Sequence, residues 1–286
     1  MKSRTSWVLI TLTIVLIASF VAYSFLSGES STASTEDEVL PPKASEIHFG
    51  KWRGDVVFTD ETQIKVFNLV YVEKGKNSKL DDLVSVSFNG KGLFKVKDFE
   101  VAKGDQIENQ KRIGNLLVNI SPGATEGIET VSEISLFFKE GEPEVHKIGE
   151  FTVMVKPNGD NQDIIAEGSY NASYPNTTFN GTFKNNTNKP ITIKKLYNPN
   201  KAITYKNILL NEKPLDSEIV IDAGDTFTIE ADFDLSSQSN RHFFQLVPVF
   251  QYLKEGKEHE QFFMETTYGL MGINDEVVEN IINSKN

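Results

Sequence analysis

Histidine is the side chain that most often acts as the base in hydrolysis, and this sequence has four: His48, His146, His242 and His259. Hydrolysis through a covalent intermediate also needs a nucleophile held beside that base. The sequence has neither a Gly-x-Ser-x-Gly nor a Ser-x-x-Lys motif, and His146 and His259 each follow a Lys-Glu-Gly turn. We therefore expect the histidines to lie on strands or turns, and the sequence predicts no catalytic residue.

Paired carboxylates are the other common machinery of hydrolysis. Cleavage of a glycosidic bond needs two of them about 5 to 9.5 Å apart in a cleft, and 40 Asp and Glu residues supply many pairs without distinguishing one. Asp232 and Asp234 flank Phe233 and would point to one side of a strand while the ring enters the core. We expect this pair to form a solvated strand face. A hydrolase of cell-wall polymer is the alternative from the enzyme class.

Metal binding needs several ligands that converge on one point. The sequence has no Cys and no His-Glu-x-x-His motif, which excludes thiolate sites and the common zinc protease motif. Possible oxygen ligands for Ca²⁺ occur close together at Asn158, Asp160, Asn161 and Asp163. Their spacing is not that of an EF-hand loop. We expect a solvated linker and no metal ion. A calcium site is the alternative, and a calcium-dependent shift in melting temperature would reveal it.

The positions of the glycines argue against a cofactor-binding loop, and the net charge argues against a nucleic-acid partner. Gly50, Gly54, Gly90 and Gly92 lie in hairpin-like surroundings and not before a helix, where a phosphate-binding loop would lie. The formal net charge of -11 makes the protein repel nucleic acid. We therefore expect no small-molecule cofactor and no nucleic-acid partner.

An uncharged apolar stretch at residues 7–26 has the length of a transmembrane helix. At about 1.5 Å of rise per residue it spans roughly the 30 Å of a bilayer's hydrocarbon core. Lys2 and Arg4 precede it and acidic residues follow it, which predicts a cytoplasmic tail at residues 1–6 and an extracellular C-terminal part. The Ser-, Thr- and Glu-rich residues 27–45 predict a flexible stalk. A cleaved secretory signal is the alternative.

The absence of Cys also bears on the type of organism and the cellular location. A secreted eukaryotic protein of this size would usually carry disulfides. Their absence, together with the richness in Lys, Asn and Ile, indicates a bacterium with a single membrane. We therefore expect a single-pass protein of the cell membrane with a cytoplasmic N-terminus. In that setting five Asn-x-Ser/Thr sequons are β sequence and not glycosylation sites: Asn119, Asn171, Asn176, Asn180 and Asn185.

The rest of the chain has the pattern of short strands separated by turns. Residues 63–72 and 93–101 are rich in β-branched and aromatic side chains that nearly alternate with polar ones. In the second stretch the alternation slips between Val96 and Phe99, which predicts a β-bulge. Strands at this spacing, with no helical periodicity between them, predict antiparallel β-sandwiches.

Turn-rich residues 157–161 divide this region into two predicted domains, residues 46–157 and 162–272. Three short motifs recur in the same order in both domains, which indicates a tandem duplication of one module. The matching segments are 86–93 with 208–215, 101–105 with 221–225, and 138–141 with 253–256. The predicted fold is therefore all-β, with two tandem sandwiches after the transmembrane helix.

The second predicted domain carries a pattern with a known counterpart. Residues 185–193 and then 221–229 read as a strand, an Asn-rich turn, a strand, a Gly-containing turn and a strand. This pattern resembles the immunoglobulin-like modules of bacterial and ciliary proteins of the Hydin type. The resemblance implies an immunoglobulin-like fold and no activity. The Cys residues that many bacterial versions carry between the two segments are absent here.

A short helix is predicted at residues 274–283 near the C-terminus. Asn274 suits an N-cap, and Asp275 and Glu276 suit the positive end of the helix dipole. We expect this helix to pack against the second predicted domain. Binding to a partner protein is the alternative.

Aromatic residues are dense between residues 243 and 268. Phe243–Phe244 and Phe262–Phe263 are adjacent pairs, and adjacent strand residues point to opposite faces. One ring of each pair must therefore face away from the core that the other enters. We expect the helix, the first predicted domain or a partner to cover this aromatic surface.

The anchor, the stalk and the repeated β module are not accompanied by a recognisable catalytic, cofactor or metal motif. We therefore predict a membrane-anchored extracytoplasmic interaction protein of the bacterial envelope, which is not an enzyme. It would bind another envelope protein or a wall polymer through strand faces or edges. The alternatives are an accessory subunit of a secretion, transport or division complex, and the hydrolase considered above.

Overall fold

The structure is a computed structural model, and it describes residues 45–107, 110–156, 162–168, 171–173, 178–201, 203–216, 218–234, 242–269 and 273–284. The predicted tail, transmembrane helix and nearly all of the predicted stalk fall in residues 1–44, outside the described part. Among the described residues no helix has the length and apolar character needed to cross a membrane. The anchor stays a prediction.

The described residues form β-strands, one 3-10 turn and one α-helix. The first predicted domain contributes the turn at Lys79–Asp82 and the strands β1 (Glu46–Phe49), β2 (Trp52–Phe58), β3 (Lys65–Lys74), β4 (Leu83–Phe88), β5 (Phe94–Ile107), β6 (Lys111–Pro122), β7 (Gly127–Phe138) and β8 (Glu144–Val155). The second contributes β9 (Ile164–Ala166), β10 (Asn171–Ser173), β11 (Thr178–Asn185), β12 (Ile191–Tyr197), β13 (Tyr205–Leu210), β14 (Lys213–Pro214), β15 (Ile219–Ile221), β16 (Thr226–Phe233), β17 (Phe243–Leu246), β18 (Val249–Lys254), β19 (Lys257–Phe262) and β20 (Thr266–Tyr268). The helix α1 (Asp275–Asn283) follows.

Two sheets of the first predicted domain enclose a hydrophobic core. Their strand orders are β1-β3-β6-β5 and β2-β8-β7-β4. Alternate side chains of both sheets enter this core, where Phe67 and Phe151 meet edge to face with ring centroids 4.6 Å apart. Gly149 on β8 has a φ of 102°, and a Cβ there would lie 2.1 Å from the carbonyl oxygen of Trp52. Glycine is therefore required for β2 to lie alongside β8.

Two further sheets enclose a second core. Their orders are β10-β11-β16-β13-β14, with β9 also paired to β11, and β15-β12-β18-β19. Phe183 and Phe250 come from opposite sheets and meet edge to face with centroids 4.9 Å apart. In β16 buried residues alternate with exposed or half-buried ones, as expected of a strand with one face in a core.

A buried Asn side chain fixes the turn that follows β11. Nδ2 of Asn185 donates to the carbonyl oxygens of Lys189, Ile221 and Asp222 at 2.8 to 3.1 Å. Its Oδ1 accepts hydrogen bonds from the backbone N–H and the hydroxyl of Thr187. One side chain therefore connects the two segments that carry the resemblance to immunoglobulin-like modules.

β17 extends a sheet of the first predicted domain. It pairs in parallel with β2 and antiparallel with β20, which gives the full order β20-β17-β2-β8-β7-β4. The chain then passes through Val247 and Pro248 and continues as β18 in a sheet of the second core. The division into two domains stays a prediction, because this sheet contains strands from both regions.

The C-terminal helix packs on the first predicted domain. Asn274 is its N-cap, as predicted, and its side chain accepts a hydrogen bond from the backbone N–H of Val277 at 3.0 Å. Val278 and Ile281 are buried in the first core cluster, and the helix contacts β1 and β3. The expectation that it packs on the second domain was wrong. β3 buries consecutive residues on both faces, so its outer face supplies the apolar surface that the helix covers.

The predicted β-rich architecture and the short C-terminal helix are confirmed. The predicted bulge is also present, since the register of β5 against β6 shifts between Val96 and Asp98. Of the recurring motifs, residues 138–141 span the end of β7 and the turn to β8, and residues 253–256 span the end of β18 and the turn to β19.

Candidate functional site

The face of β2 that points away from the first core meets residues of the second predicted domain. Gln245 on β17 donates from Nε2 to the carbonyl oxygen of Asp55 at 3.0 Å. Gly54 permits this approach, because a Cβ there would lie 2.8 Å from Cβ of Gln245. A small apolar cluster lies beside these residues, and it contains Val57, Val247, Val249 and Phe262. We call the region the junction and define it by Asp55, Val57, Tyr197, Asn198, Asn200, Gln245, Val247, Glu260 and Phe262.

A charged hydrogen-bond network crosses the junction. The Glu260 carboxylate accepts hydrogen bonds from the Tyr197 hydroxyl and from Nζ of Lys156, the residue that follows β8. The same Lys156 ammonium lies 5.2 Å from the centroid of the Phe262 ring, within cation–π distance. These contacts attach the end of the first predicted domain to β12 and β19 of the second.

The network shifts the ionisation of its own members. Burial tends to raise the pKa of Glu260, but the hydrogen bonds from Lys156 and Tyr197 outweigh burial and leave that pKa below its ordinary value. Burial, followed by the bond to Glu260, raises the pKa of Tyr197. Glu260 is therefore ionised at neutral pH and Tyr197 remains a donor.

Asp55 is fully buried, with 0% of its surface exposed. Neither carboxylate oxygen accepts a hydrogen bond of ordinary length and direction from the described residues. Burial raises the pKa of Asp55 to about 8, while the backbone N–H of Asn200 and the charge of Arg53 oppose that rise. The carboxyl group is therefore largely protonated at neutral pH, when it can both donate and accept.

Polar atoms close in the chain to the junction residues Tyr197 and Asp55 also have unused hydrogen-bonding capacity. Asn198, in the loop after β12, is 4% exposed, and its Nδ2 has no partner among the described residues. Arg53 pairs with Glu150 through Nη1, whereas its Nε has no partner within the described part of the chain. Such groups commonly bind ordered water. Each of these groups can hold water or a small polar group.

The structure brings His48 and His146 together where β1 approaches β8. His146 Nε2 lies 3.3 Å from Glu144, and His48 Nε2 lies 3.8 Å from Glu46. Burial lowers the pKa of both imidazoles, and each histidine's own glutamate opposes that shift. The His146 ring also packs edge-on against Phe49, with centroids 5.4 Å apart. Both side chains are therefore neutral at neutral pH and pack where β1 approaches β8.

The other two histidines lie elsewhere. His242 accepts a hydrogen bond at Nδ1 from the backbone N–H of Lys51, 2.9 Å away, which attaches the start of β17 to β2. His259 stacks on Tyr252 across the β18–β19 hairpin, with centroids 5.5 Å apart. These contacts stabilise strand pairing.

The calcium candidates divide between described and undescribed residues. Asp163 accepts hydrogen bonds from the Tyr252 hydroxyl at 2.7 Å and from Nζ of Lys254 at 2.5 Å. Asn158, Asp160 and Asn161 lie outside the described residues. In the described part of the chain no group of three or more His, Cys, Asp or Glu side chains could hold a metal ion.

The remaining polar candidates lie on strand surfaces or in turns. Asp232 accepts a hydrogen bond from Asn207 at 2.8 Å, and Asp234 accepts one from Lys206 at 2.5 Å. Among the sequons, Asn119 bonds Asp98, Asn180 is exposed and Asn185 is the buried turn residue described above. The side chains of Asn171 and Asn176 lie outside the described part.

The adjacent aromatic pairs separate into different clusters. Phe243 is buried in the first core and Phe244 in the second. Phe262 belongs to the junction, while Phe263 packs against Phe183 with centroids 5.0 Å apart. The first predicted domain therefore covers part of the aromatic surface, which is one of the three covers expected from the sequence.

Sequence reasoning missed the junction residues Asp55, Tyr197 and Glu260. One signal was available at Asp55, which directly precedes the apolar run Val56, Val57 and Phe58. An uninterrupted apolar run indicates a strand buried on both faces. An acid next to such a run is a candidate for burial.

The surface formed by the described residues also contains the following two grooves. One, of about 300 Å³, lies over β11, β13 and β16 and is lined by residues that include Thr182, Glu212 and Glu230. The other, of about 240 Å³, lies at the start of β4 and is lined by Lys79, Asp82, Phe138, Lys139 and Glu140. Both are at or below the lower limit of typical ligand pockets, about 300 Å³.

Comparisons with known proteins assign no family. No protein-family model matches the chain, and no curated protein matches it. A protein of unknown function from Porphyromonas gingivalis is 10% identical, with a TM-score of 0.23, over 78% of this chain and 99% of its own. The CFA/I adhesin CfaE of enterotoxigenic E. coli is 11% identical, with a TM-score of 0.20, over 76% of this chain and 97% of its own. Likenesses this weak carry no argument about function, and the resemblance to Hydin-type modules stays a prediction.

Proposed function

We propose that this chain is a membrane-anchored interaction protein of the bacterial cell envelope, without catalytic activity of its own. The apolar residues 7–26, the flanking charges and the stalk at residues 27–45 support attachment at the outer face of the membrane. The junction is the observation that best supports binding over catalysis. Its contacts join two β-rich regions, and its Glu260 carboxylate accepts hydrogen bonds from Lys156 and Tyr197.

We propose further that the two regions are immunoglobulin-like sandwiches. In the first region, β1-β3-β6-β5 corresponds to strands A-B-E-D of that fold, and β8-β7-β4 corresponds to G-F-C. In the second, β11-β16-β13 corresponds to B-E-D, and β12-β18-β19 corresponds to C-F-G. The order of strands in each sheet supports this assignment.

The partner would be another envelope protein or a wall polymer. A binding protein benefits from a fixed arrangement of its modules, because less conformational freedom is lost when the complex forms. The Lys156–Glu260–Tyr197 network and the Val57 cluster provide such fixation. Strand edges and loops would supply the contacts, as they do on other sandwich folds.

Two measurements on the full chain test this proposal. Cell fractionation with external protease should place the protein in the membrane fraction, with cleavage in the stalk. Recovery of the mature protein from the culture medium without its first 30 or so residues would contradict the anchor. Affinity capture from crosslinked cells should recover one reproducible envelope protein or wall fragment. The Tyr197→Phe/Glu260→Gln double variant should retain less of it than an Asp60→Asn surface control.

Detection of enzymatic activity would favour the competing hypothesis, a hydrolase of cell-wall polymer. The purified full chain would be incubated with isolated cell wall, and soluble products would be analysed by mass spectrometry. We expect no products. Products that disappear when a buried carboxylate such as Asp55 is replaced would overturn the proposal in favour of the hydrolase.

A further inference from the structure

The two sides of the junction differ in how well their polar groups are bonded. On one side, the Glu260 carboxylate accepts hydrogen bonds from Lys156 and Tyr197. On the other side, Asp55 is fully buried, and neither of its carboxylate oxygens accepts a bond of ordinary geometry from the described residues. Buried polar groups are normally paired, and an unpaired one weakens the contact that buries it. The junction should therefore open first on the Asp55 side.

The cover of Asp55 includes a loop that is fixed at both ends. This loop joins β12 to β13, and we call its residues 198–201 the strap. Tyr197, immediately before the strap, is held by Glu260, and Ile203, shortly after it, is buried in the second core. Between these fixed points the backbone N–H of Asn200 interacts with the Asp55 carboxyl. A movement of the strap can therefore uncover Asp55 while both ends stay in place.

The strap is held by long hydrogen bonds and contains an unsatisfied group. The Tyr205 hydroxyl donates to Oδ1 of Asn198 at 3.5 Å, and the backbone N–H of Ile203 donates to the carbonyl oxygen of Asn200 at 3.2 Å. These distances lie at or beyond the upper end of the usual range. Nδ2 of Asn198, which is almost completely buried, has no partner among the described residues. A loop held in this way opens at a low cost in free energy.

The elements packed against Asp55 offer its ionised form little compensation. Arg53, on the same strand, attracts that form, but its guanidinium is already paired with Glu150 on β8. Lys201, the charged residue of the strap, is exposed. The residue opposite Asp55 on β8 and its neighbour on β17 are uncharged, namely Thr152 and Gln245. An ionised Asp55 would therefore have to obtain its solvation from water.

We propose that the strap is a pH-sensitive cover of Asp55, closed while this carboxyl carries its proton and open once the proton is lost. In the closed form the neutral carboxyl can remain buried beside the backbone N–H of Asn200. In the open form water reaches the carboxylate, while the bonds of Glu260 to Lys156 and Tyr197 still join the two regions. The inference depends neither on membrane attachment nor on the proposed function.

The direction of the response follows from the proton on Asp55. Burial raises the pKa of the covered carboxyl from 3.8 to about 8, whereas a carboxyl open to water returns to the ordinary value. Between these two pH values the closed form retains a proton that the open form has lost. The ratio of open to closed molecules should therefore rise by up to about tenfold for each pH unit in this interval, and level off above about pH 8.

Hydrogen exchange followed by mass spectrometry measures this ratio on the full chain in mild detergent. Spectra would be recorded at intervals between about pH 4 and pH 8 and corrected for the intrinsic pH dependence of amide exchange. Protection of the strap amides should fall by up to about tenfold per pH unit. At every pH the strap should exchange at least about tenfold faster than β8, because the strap opens without the core. Equal protection of the strap and β8 would mean that only global unfolding exposes the strap, and it would overturn the proposal.

A neutral variant identifies Asp55 as the group that responds. Asp55→Asn cannot ionise, so protection of its strap should not change with pH. Asp82→Asn is the matched control, because its side chain is 61% exposed, and it should follow wild type. Melting temperatures of both variants would confirm folding, and if Asp55→Asn does not fold, the wild-type profile decides. Strap protection in wild type that is independent of pH would overturn the proposal, as would an equal slope in wild type and folded Asp55→Asn.

Discussion

The indole ring of Trp52 and the ring of Phe243 lie 5.0 Å apart, centroid to centroid, although they belong to different predicted domains. Their strands pair in parallel, with Trp52 opposite Phe243 in the register. Both side chains are almost completely excluded from solvent. Gly50 makes room for this contact, because a Cβ there would lie 2.2 Å from the Phe243 ring. The first core is therefore completed by a residue from the second half of the chain.

Truncation of that ring should destabilise both halves. We expect Phe243→Ala to lower the free energy of unfolding by about 3 to 5 kcal/mol, because it leaves a cavity beside Trp52. Urea denaturation followed by tryptophan fluorescence and by circular dichroism would measure the loss. Val220→Ala, at an exposed position, should change stability by less than about 0.5 kcal/mol. A loss below about 1 kcal/mol for Phe243→Ala would mean that the contact contributes little to stability.

Asp55 should make stability fall as pH rises. Folding raises its pKa from 3.8 to about 8, so the folded protein retains a proton that the unfolded chain loses in this interval. This contribution is complete below about pH 3.8 and is lost progressively up to about pH 8. Asp55→Asn removes the titration, so wild type should lose stability relative to the variant by at most about 1.4 kcal/mol per pH unit.

Chemical denaturation at intervals between pH 4 and pH 8 would test this slope. Asp82→Asn is the control, because its side chain is 61% exposed. It should follow wild type over the same interval. Parallel curves for wild type and Asp55→Asn would show that Asp55 keeps an ordinary pKa in the folded protein.

The Glu260 network should show the opposite dependence on pH. Its pKa lies below the ordinary 4.5, so its contribution is present above that value and is lost as pH falls through the folded pKa. Tyr197→Phe removes one hydrogen bond and should cost about 1 kcal/mol at neutral pH. Glu260→Gln should cost more and should flatten the loss of stability in acid.

A double-mutant cycle on Tyr197 and Glu260 would separate their direct coupling from other effects. We expect the combined loss to be smaller than the sum of the single losses, since both variants remove the same hydrogen bond. Strict additivity would indicate that the two side chains do not interact in solution.

Asn185 should be the most sensitive polar position in the second core. Asn185→Ala removes the donor of one buried and two partly buried carbonyl oxygens, and a buried unsatisfied group costs about 1 to 3 kcal/mol. We expect a total loss of about 3 kcal/mol or more, measured by thermal and urea denaturation. Asn186→Ala in the same turn loses one exposed bond to Gln162 and should be nearly neutral. Equal losses for the two variants would contradict the role assigned to Asn185.

Local chemistry explains which elements could be predicted from the sequence. Near alternation at residues 63–72 and the slip after Val96 predicted β3 and the bulge in β5, because both depend on residues that are close in the chain. The same holds for the helix, whose cap and first turn lie within residues 274–276.

Long-range pairings could not be predicted in this way. Nothing local indicates that β17 will lie beside β2 in parallel, because that contact depends on the shape of a surface formed by the rest of the chain. The burial of Asp55 depends on that pairing, so the apolar run beside it makes it a candidate for burial but does not identify its cover. Docking of α1 on β1 and β3 was missed for the same reason, since an apolar helix face does not specify which apolar surface it covers.

The parallel pairing of β2 with β17 also determines how long after its synthesis β2 must wait for this partner strand. Asp55 and Gln245 are 190 residues apart. Polypeptides are synthesised at about 5 to 20 residues per second, so roughly 10 to 40 seconds pass between the appearance of the one residue and that of the other. Throughout that delay the edge of β2 that pairs with β17 stays open, although the other edge can pair with β8 earlier, and a chaperone that shields the open edge would act in this period.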